Sequence, residues 1–517
     1  MQHQTSSDDS EFEMDPVNDD PSLSPDSPLI GPTSVQPRWL LRQRYSGPRT
    51  WLPWPRRRFT TTTTTITTTT AWFASLIRPR WSWRYVVCAS VVLYATICFA
   101  QGQPLLASSL PAYTGPHDVG AMDLEIPLDK PRLITNTVFR NTGEPAFELT
   151  TTLFTVYYPV AKGARETKPR HNWIPRPISL KAEGYAKFAH LNNFITRPIF
   201  TFALWAISGS IRIPAKVDAP LLVSVSASAS GSVSATDGHK SATNGSGSES
   251  ERFPVMVFSH GDASSRTDYS NFVGELASRG YVVAALEHRD GSGAGSLIKI
   301  KGQPDRSIKE QLTFRDAEIF ETIGILRAIN DGKGDDIFAL NSRNEGNSLH
   351  AWTDRLDFDK LTIGGHSFGA TGALQALKGA PSATNPAVGG IILDPGKSSG
   401  PLNKEIDVPI LVIHSNSWSK AHSIFYGRPH FDTVRDLVQG VLRRAHASWF
   451  LTSLGTSHPS VTDAPLIEPL LLSCTTGANL NTKAALKEYV RVTDEFWGFL
   501  RTGHVVPEKG GGYWPRR

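Results

Sequence analysis

A serine flanked by two glycines lies where a strand-like segment meets a helix-like segment. The apolar run Leu361–Gly364 leads into Gly365-His366-Ser367-Phe368-Gly369, and a helical pattern follows over Ala370–Leu377. Glycines on both sides of a serine permit the tight strand-to-helix turn called a nucleophile elbow, which exposes the serine hydroxyl at the top of a sheet. The Gly-x-Ser-x-Gly pattern alone is a weak signal. The strand and helix around it favour Ser367 as a nucleophile.

A nucleophilic serine of this kind is followed along the chain by an acid and then by a histidine. The apolar run Gly389–Leu393 ends at Asp394, which would place a carboxylate at the carboxyl end of a strand. Two histidines compete for the role of base: His414 directly follows a strand-like run, and His458 lies in a loop after the last one. We predict His458 as the base, because it lies where the base of this arrangement belongs, and His414 as a residue at the rim.

These side chains predict acyl transfer. Ser367 would attack an ester carbonyl, His458 would take the hydroxyl proton and return it to the leaving alcohol, and Asp394 would hold the imidazole tautomer. The anionic intermediate would need two backbone N–H donors. Phe368 is one candidate, and Asp262 is the other, because it follows a strand-like run and a His-Gly turn.

Further motifs resemble the platelet-activating factor acetylhydrolase family, the plasma-type enzymes also called group VII phospholipases A2. The resemblance extends from about Gly115 to about Leu500. The segments that carry it are Gly115–Gly120, Val156–Pro159, Trp173–Pro175, Val257–Gly261, Leu276–Asp290 and Gly365–Gly369. The ordered His-Gly and Glu-His-Arg-Asp motifs before the elbow are more specific than the elbow itself.

This resemblance implies an α/β-hydrolase fold with a mostly parallel, doubly wound sheet, which the alternation of strand-like and helix-like segments also favours. It implies a calcium-independent serine esterase that hydrolyses short or oxidised sn-2 acyl esters of phospholipids, with Ser367, Asp394 and His458 as triad. Asp262 and Phe368 align with the oxyanion donors. Two departures concern Asp262, where the family usually has an apolar residue, and Pro395-Gly396 after Asp394, where relatives carry larger residues.

Two other functions remain open at this point. The same triad would serve a general carboxylesterase or polyesterase. A membrane-tethered hydrolase fold that only binds partners is disfavoured, because a binding module has no need of the triad. Glu287-His288-Arg289-Asp290 could be mistaken for a second catalytic cluster, but we interpret it as a hydrogen-bonded structural network at a strand end.

The N-terminal part predicts a tail and a membrane anchor. Residues 1–84 hold eight acidic residues and then ten arginines, a composition typical of disorder. Residues 85–100 are apolar and uncharged, with Arg78, Arg80 and Arg84 just before them, so the positive-inside rule places the tail in the cytosol and residues 101–517 in the lumen or outside. The alternatives are a cleaved signal peptide, and thus secretion, or a soluble form.

The rest of the composition limits which partners and cofactors we expect. The net charge of the chain is +5, and part of it belongs to the tail. So small a positive charge on the remaining residues argues against nucleic acid as a partner. The segment 194–213 is either an interfacial element or a buried scaffold helix, and 224–251 is a Ser-rich flexible insertion containing the glycosylation sequon at Asn244. Of three cysteines, Cys88 and Cys98 lie in the apolar segment, and Cys474 is predicted to be buried packing. We expect phospholipid and membrane as partners, no cofactor, no metal and no obligate protein partner.

Overall fold

The computed structural model describes residues 82–101, 106–139, 142–223, 252–295, 308–420, 424–425, 427–469 and 476–503. Of the tail predicted over residues 1–84, residues 1–81 lie outside the described residues, as do the insertion predicted over 224–251 and Cys474. Helix α1, Trp83–Gln101, contains the predicted anchor. It is the one helix in the described part of the chain that is long and apolar enough to cross a membrane.

A nine-stranded sheet forms the centre of the described part of the chain. In chain order its strands are β1 (Asp118–Leu133), β2 (Glu148–Val160), β3 (Lys216–Val217), β4 (Phe253–Ser259), β5 (Val282–Leu286), β6 (Leu356–His366), β7 (Gly389–Leu393), β8 (Ile410–Ser415) and β11 (Ser448–Ser453). The spatial order is β11-β8-β7-β6-β4-β5-β2-β1-β3. Strands β11 through β5 are parallel, and β2 joins β5 antiparallel. This strand order, in which β2 runs antiparallel to β5, confirms the predicted α/β-hydrolase fold.

Helices cover both faces of the sheet. They are α2 (Ile178–Phe188), α3 (Thr196–Ser208), α4 (Ser270–Ala277), α5 (Ile308–Ala328), α6 (Gly334–Leu340), α7 (Phe368–Ala376), α8 (Asn416–Lys420), α9 (His430–Ala445), α10 (Ala464–Ile467) and α11 (Thr482–Thr502). The short strands β9 (Ile424–Phe425) and β10 (Arg428–Pro429) form a separate hairpin between α8 and α9.

Two hydrophobic cores follow from the alternation of side chains along the strands. In β4, Val255 and Val257 belong to the core beneath α5, α7 and α9, whereas Met256 and Phe258 belong to the core beneath α4 and α11. Successive strand side chains point to opposite faces, so a strand with helices on both sides is apolar throughout. The continuous apolar runs seen in the sequence are therefore central parallel strands.

Helix α3 is amphipathic and largely exposed. Ile199, Phe202 and Trp205 are each about half or more exposed to solvent, and Phe194 just before the helix is 86% exposed. A buried scaffold helix would carry these side chains in the core. Of the two interpretations of this segment, the exposure excludes the buried one.

Candidate active site

Ser367 lies at the sharp turn between β6 and α7 and has a strained backbone, with φ 56° and ψ −121°. The turn depends on its two glycines. A Cβ at Gly365 would lie 2.3 Å from the carbonyl oxygen of Gly369, and a Cβ at Gly369 would lie 2.1 Å from that of Ser259. No side chain fits such approaches, so the glycine spacing that singled out Ser367 follows from backbone packing.

Asp394 follows β7 directly and is 3% exposed. Its carboxylate accepts hydrogen bonds from the amide and hydroxyl of Ser415, both at 2.6 Å, and from Nδ1 of His458 at 2.9 Å. Burial alone would raise the pKa of Asp394, but the hydrogen bond and charge of His458 hold that pKa below its ordinary value. Ser415 was not predicted; it reaches Asp394 because it ends the strand next to β7.

His458 begins a short 3₁₀ turn, His458–Val461, in the loop after β11. Its backbone N–H donates to Oγ of Ser417 at 3.1 Å. The Ser367 hydroxyl lies 3.0 Å from Nε2 of His458, the geometry of a hydroxyl that donates to the ring. The structure thus brings Ser367, His458 and Asp394 together in one chain of hydrogen bonds.

His414 lies apart from this chain of hydrogen bonds. It is inside β8 rather than after it, is fully buried, and packs against the rings of His430 and Phe450. Neither of its ring nitrogens has a hydrogen-bond partner among the described residues. Burial lowers the pKa of His414 to about 4, so the ring is neutral at physiological pH. The structure does not place it at a rim.

The loop after β4 lies against the elbow. A Cβ at Gly261 would be 3.2 Å from Cβ of Ser367, so this residue must be small. The amide of Gly261 donates to the hydroxyl of Tyr269 at 3.1 Å, and that hydroxyl donates to Nδ1 of His366 at 2.8 Å. Burial and the neighbouring His458 lower the pKa of His366 to about 3, which keeps it an acceptor. Tyr269 was not predicted from the sequence, and it ties the loop to the elbow.

The two predicted oxyanion donors belong to segments next to the nucleophile. Asp262 lines the same pocket as Gly261, Ser367 and His458. Phe368 is the first residue of α7 and directly follows Ser367. The pocket walls also include Trp173 and Tyr185, which give it aromatic surface.

A second serine–histidine–carboxylate chain is buried beneath this loop. The Ser259 hydroxyl lies 2.7 Å from Nε2 of His288, and Nδ1 of His288 lies 2.5 Å from Glu318. All three side chains are at most 1% exposed, so no substrate reaches them. Burial lowers the pKa of His288 and raises that of Glu318. The chain serves as internal scaffolding.

The Glu-His-Arg-Asp motif belongs to the same scaffolding. Glu287 pairs with Arg266, Arg289 with Glu125, and Asp290 with Arg315. With the pairing of His288 to Glu318, every member of the motif has a partner in the protein, as the interpretation of a structural network requires.

The atoms that could ligate a metal ion also belong to the site. One ligand atom each from His366, Asp394 and His458 lies within 4.8 Å of the others. Two of these groups are already hydrogen-bonded to each other, and His458 is bonded to Ser367 on its other side. The third group, His366, is bonded through Nδ1 to the hydroxyl of Tyr269, so all three groups of this set already have hydrogen-bond partners within the protein.

Comparison with known proteins agrees with the resemblance seen in the motifs. The family model "Platelet-activating factor acetylhydrolase, isoform II" matches residues 224–496, more than half of the chain. The platelet-activating factor acetylhydrolase of Bos taurus is 31% identical over 147 residues, 25% of this chain and 32% of that protein. The protein of the same name from Cavia porcellus is 24% identical over 335 residues, 61% of this chain and 62% of that protein.

These matches span from about a third to less than two thirds of the curated relatives' length. Among solved structures, the ferulic acid esterase from Streptomyces cinnamoneus has a TM-score of 0.47 and 15% identity, covering 77% of this chain and 95% of that one.

Proposed function

The chain belongs to the platelet-activating factor acetylhydrolase isoform II family, and on that premise we propose that it is a calcium-independent serine esterase that hydrolyses short or oxidised sn-2 acyl esters of phospholipids. The observation that carries the proposal is the continuous hydrogen-bond line from the Ser367 hydroxyl through His458 to the Asp394 carboxylate.

The chemistry follows from this line. Asp394 accepts from Nδ1 of His458, which leaves Nε2 unprotonated and able to take the Ser367 proton as Oγ attacks the ester carbonyl. The imidazolium then returns the proton to the leaving lysophospholipid alcohol. Water repeats the sequence on the acyl-enzyme, which releases the short acid and restores the serine.

The negative charge that develops on the carbonyl oxygen is assigned to the backbone amides of Phe368 and Asp262. One such donor is worth about 3 kcal/mol of transition-state stabilisation. Because amides do this work, the proposal requires no divalent ion. Activity should therefore survive excess EDTA, and activity lost to EDTA and restored by calcium would contradict it.

A membrane anchor would hold the enzyme close to its phospholipid substrate. Exposed apolar side chains of α3 lie near α1, since Trp205 of α3 and Phe99 of α1 line the same cleft. If α1 is a signal anchor with its arginines on the cytosolic side, α3 faces the bilayer that supplies substrate. Resistance to carbonate extraction is expected, together with a glycan that Asn244→Gln removes. A protein that carbonate releases but that is glycosylated would indicate cleavage near Ala100 and secretion instead.

The substrate class is tested by one comparison. Hydrolysis of a short-chain phosphatidylcholine is measured beside that of a soluble nitrophenyl ester with the same acyl length, with Ser367→Ala as the blank. The proposal predicts a higher kcat/KM for the phospholipid. Turnover of the nitrophenyl ester alone would support the general carboxylesterase and contradict the phospholipid assignment.

A further inference from the structure

The imidazole ring of His458 has two other aromatic rings as close neighbours. The indole of Trp418 is stacked on one side, with centroids 3.8 Å apart and planes 10° from parallel. The ring of His366 is a second aromatic neighbour, with centroids 4.5 Å apart and planes at 36°. Trp418 comes from the short helix α8, which the sequence patterns did not predict.

Trp418 is itself fixed in place by the residues that hold Asp394. Its indole N–H donates to the carbonyl oxygen of Pro395 at 2.9 Å. Its backbone N–H donates to Oγ of Ser415 at 3.3 Å, and the same hydroxyl donates to Asp394. The indole plane is therefore set relative to the carboxylate that orients His458.

The far face of the indole carries a cation. The ammonium group of Lys397 lies 4.3 Å from the Trp418 ring centroid. Since His458 covers one face of the indole at 3.8 Å, the ammonium must occupy the other. Cation–π attraction to Lys397 thus helps to hold the indole in place from the face opposite His458.

Hydrogen bonds alone leave the His458 ring one soft motion. Both bonds, to Ser367 and to Asp394, run in the ring plane, so they do not prevent the ring from rocking about the axis that joins them. The side chain is 28% exposed, and both ring nitrogens are already used in these two bonds, so no further hydrogen bond to the ring opposes the rocking. Flat contacts on the ring faces oppose this motion.

We propose that Trp418 is a positioning residue for ester hydrolysis: its indole face holds the His458 imidazole in the plane of its two hydrogen bonds and stabilises the imidazolium that forms during attack. The inference rests on the proposed function of His458 as base. An interaction that strengthens when the imidazolium forms acts on the transition state, so it raises kcat and leaves substrate binding unchanged. The described lining of the pocket before Ser367 does not include Trp418, in agreement with that division.

The test replaces the indole by a flat ring or by an aliphatic chain. Trp418→Leu should lower kcat for nitrophenyl acetate by about ten- to thirtyfold, the equivalent of one cation–π contact, with KM within twofold. Trp418→Phe keeps a flat face and should recover most of that loss. The rate of labelling by a fluorophosphonate, which needs the same base, should fall in parallel in Trp418→Leu.

Trp449→Leu is the matched control, because Trp449 is also partly buried but packs on Phe496 and Phe499, away from His458. Both leucine variants should lose thermal stability, and only Trp418→Leu should lose kcat. Equal kcat in the two variants, or a Trp418→Phe no better than Trp418→Leu, would overturn the proposal.

The assay also separates this proposal from the proposed function. Nitrophenyl acetate reports on the base whatever the natural ester is, so failure to hydrolyse phospholipid leaves the Trp418 comparison intact. Conversely, full activity in His458→Ala would remove the proposed function and with it the role of Trp418.

Discussion

The guanidinium group of Arg315 lies over the ring of Phe368, with its central carbon 4.4 Å from the ring centroid. The same group donates to the carbonyl oxygen of His260 at 2.7 Å. One buried side chain on α5 therefore contacts both segments that carry the proposed oxyanion amides, the residue after Ser367 and the loop that leads to Asp262.

Arg315 is also bound into the core by charge, because its Nε lies 2.8 Å from Asp290 and both side chains are fully buried. Arg315→Met should destabilise the protein by about 3 to 5 kcal/mol, since it leaves a buried carboxylate without its cation. Arg315→Met with Asp290→Asn should recover part of that loss. Denaturant unfolding of the three proteins checks this, and a double variant less stable than Arg315→Met would contradict it.

Substitution of the two histidines considered as the base should have very different effects on turnover. His458→Ala should lower kcat by about 10⁴- to 10⁶-fold, as removal of a triad member typically does. His414→Phe should change kcat by only a few fold, because His414 has no contact with the Ser367 hydroxyl in the described hydrogen bonds. Steady-state kinetics of both variants test the assignment, and a reversed order would refute it.

His414 should instead affect the free energy of unfolding at acidic pH. Its pKa is about 4 in the folded protein and about 6.5 when unfolded, so the unfolded chain takes up the proton first as pH falls. The titration of His414 therefore has almost no effect on the free energy of unfolding above pH 7, and it lowers that free energy as pH falls through 6.5 towards 4.

His414→Phe removes this group, so relative to the wild type it should gain about 2 kcal/mol of stability on going from pH 7 to pH 5. Urea unfolding at both pH values measures the difference. A gain that is absent, or a loss at pH 5, would mean that His414 is solvated or paired in solution.

Asp262 should act through its backbone and not its carboxylate. Asp262→Asn keeps the amide and the size of the side chain, so kcat/KM for nitrophenyl acetate should remain within a few fold. A drop of a hundredfold or more would show that the carboxylate takes part in the reaction, and would contradict a role for Asp262 through its backbone alone.

The parts of the site that sequence reasoning found are those with local causes. Ser367 was recognisable because two glycines within four residues are forced by backbone contact at the turn. Asp394 and His458 were recognisable because strands that end at the same sheet edge bring their following residues together. The fold class followed from the same alternation of strand and helix.

The parts that sequence reasoning missed depend on distant pairings. The residues missed reach the site from four different parts of the chain, and no spacing relates them to Ser367: Ser415 from β8, Trp418 from α8, Tyr269 from the turn before α4, and Arg315 from α5. His414 was placed at the rim because its strand was predicted to end at Ile413, whereas β8 continues to Ser415. A shift of two residues at a strand end was enough to misplace a buried ring.

The most direct test of the account is the position of a covalent adduct. Wild-type protein is treated with a fluorophosphonate and digested, and the modified peptide is identified by mass spectrometry. Ser367 should carry the adduct, Ser367→Ala should carry none, and Ser259→Ala should be labelled like the wild type, because Ser259 is buried with its own histidine and carboxylate. An adduct on Ser259 or another serine in the Ser367→Ala protein would contradict the assignment of Ser367 as the nucleophile.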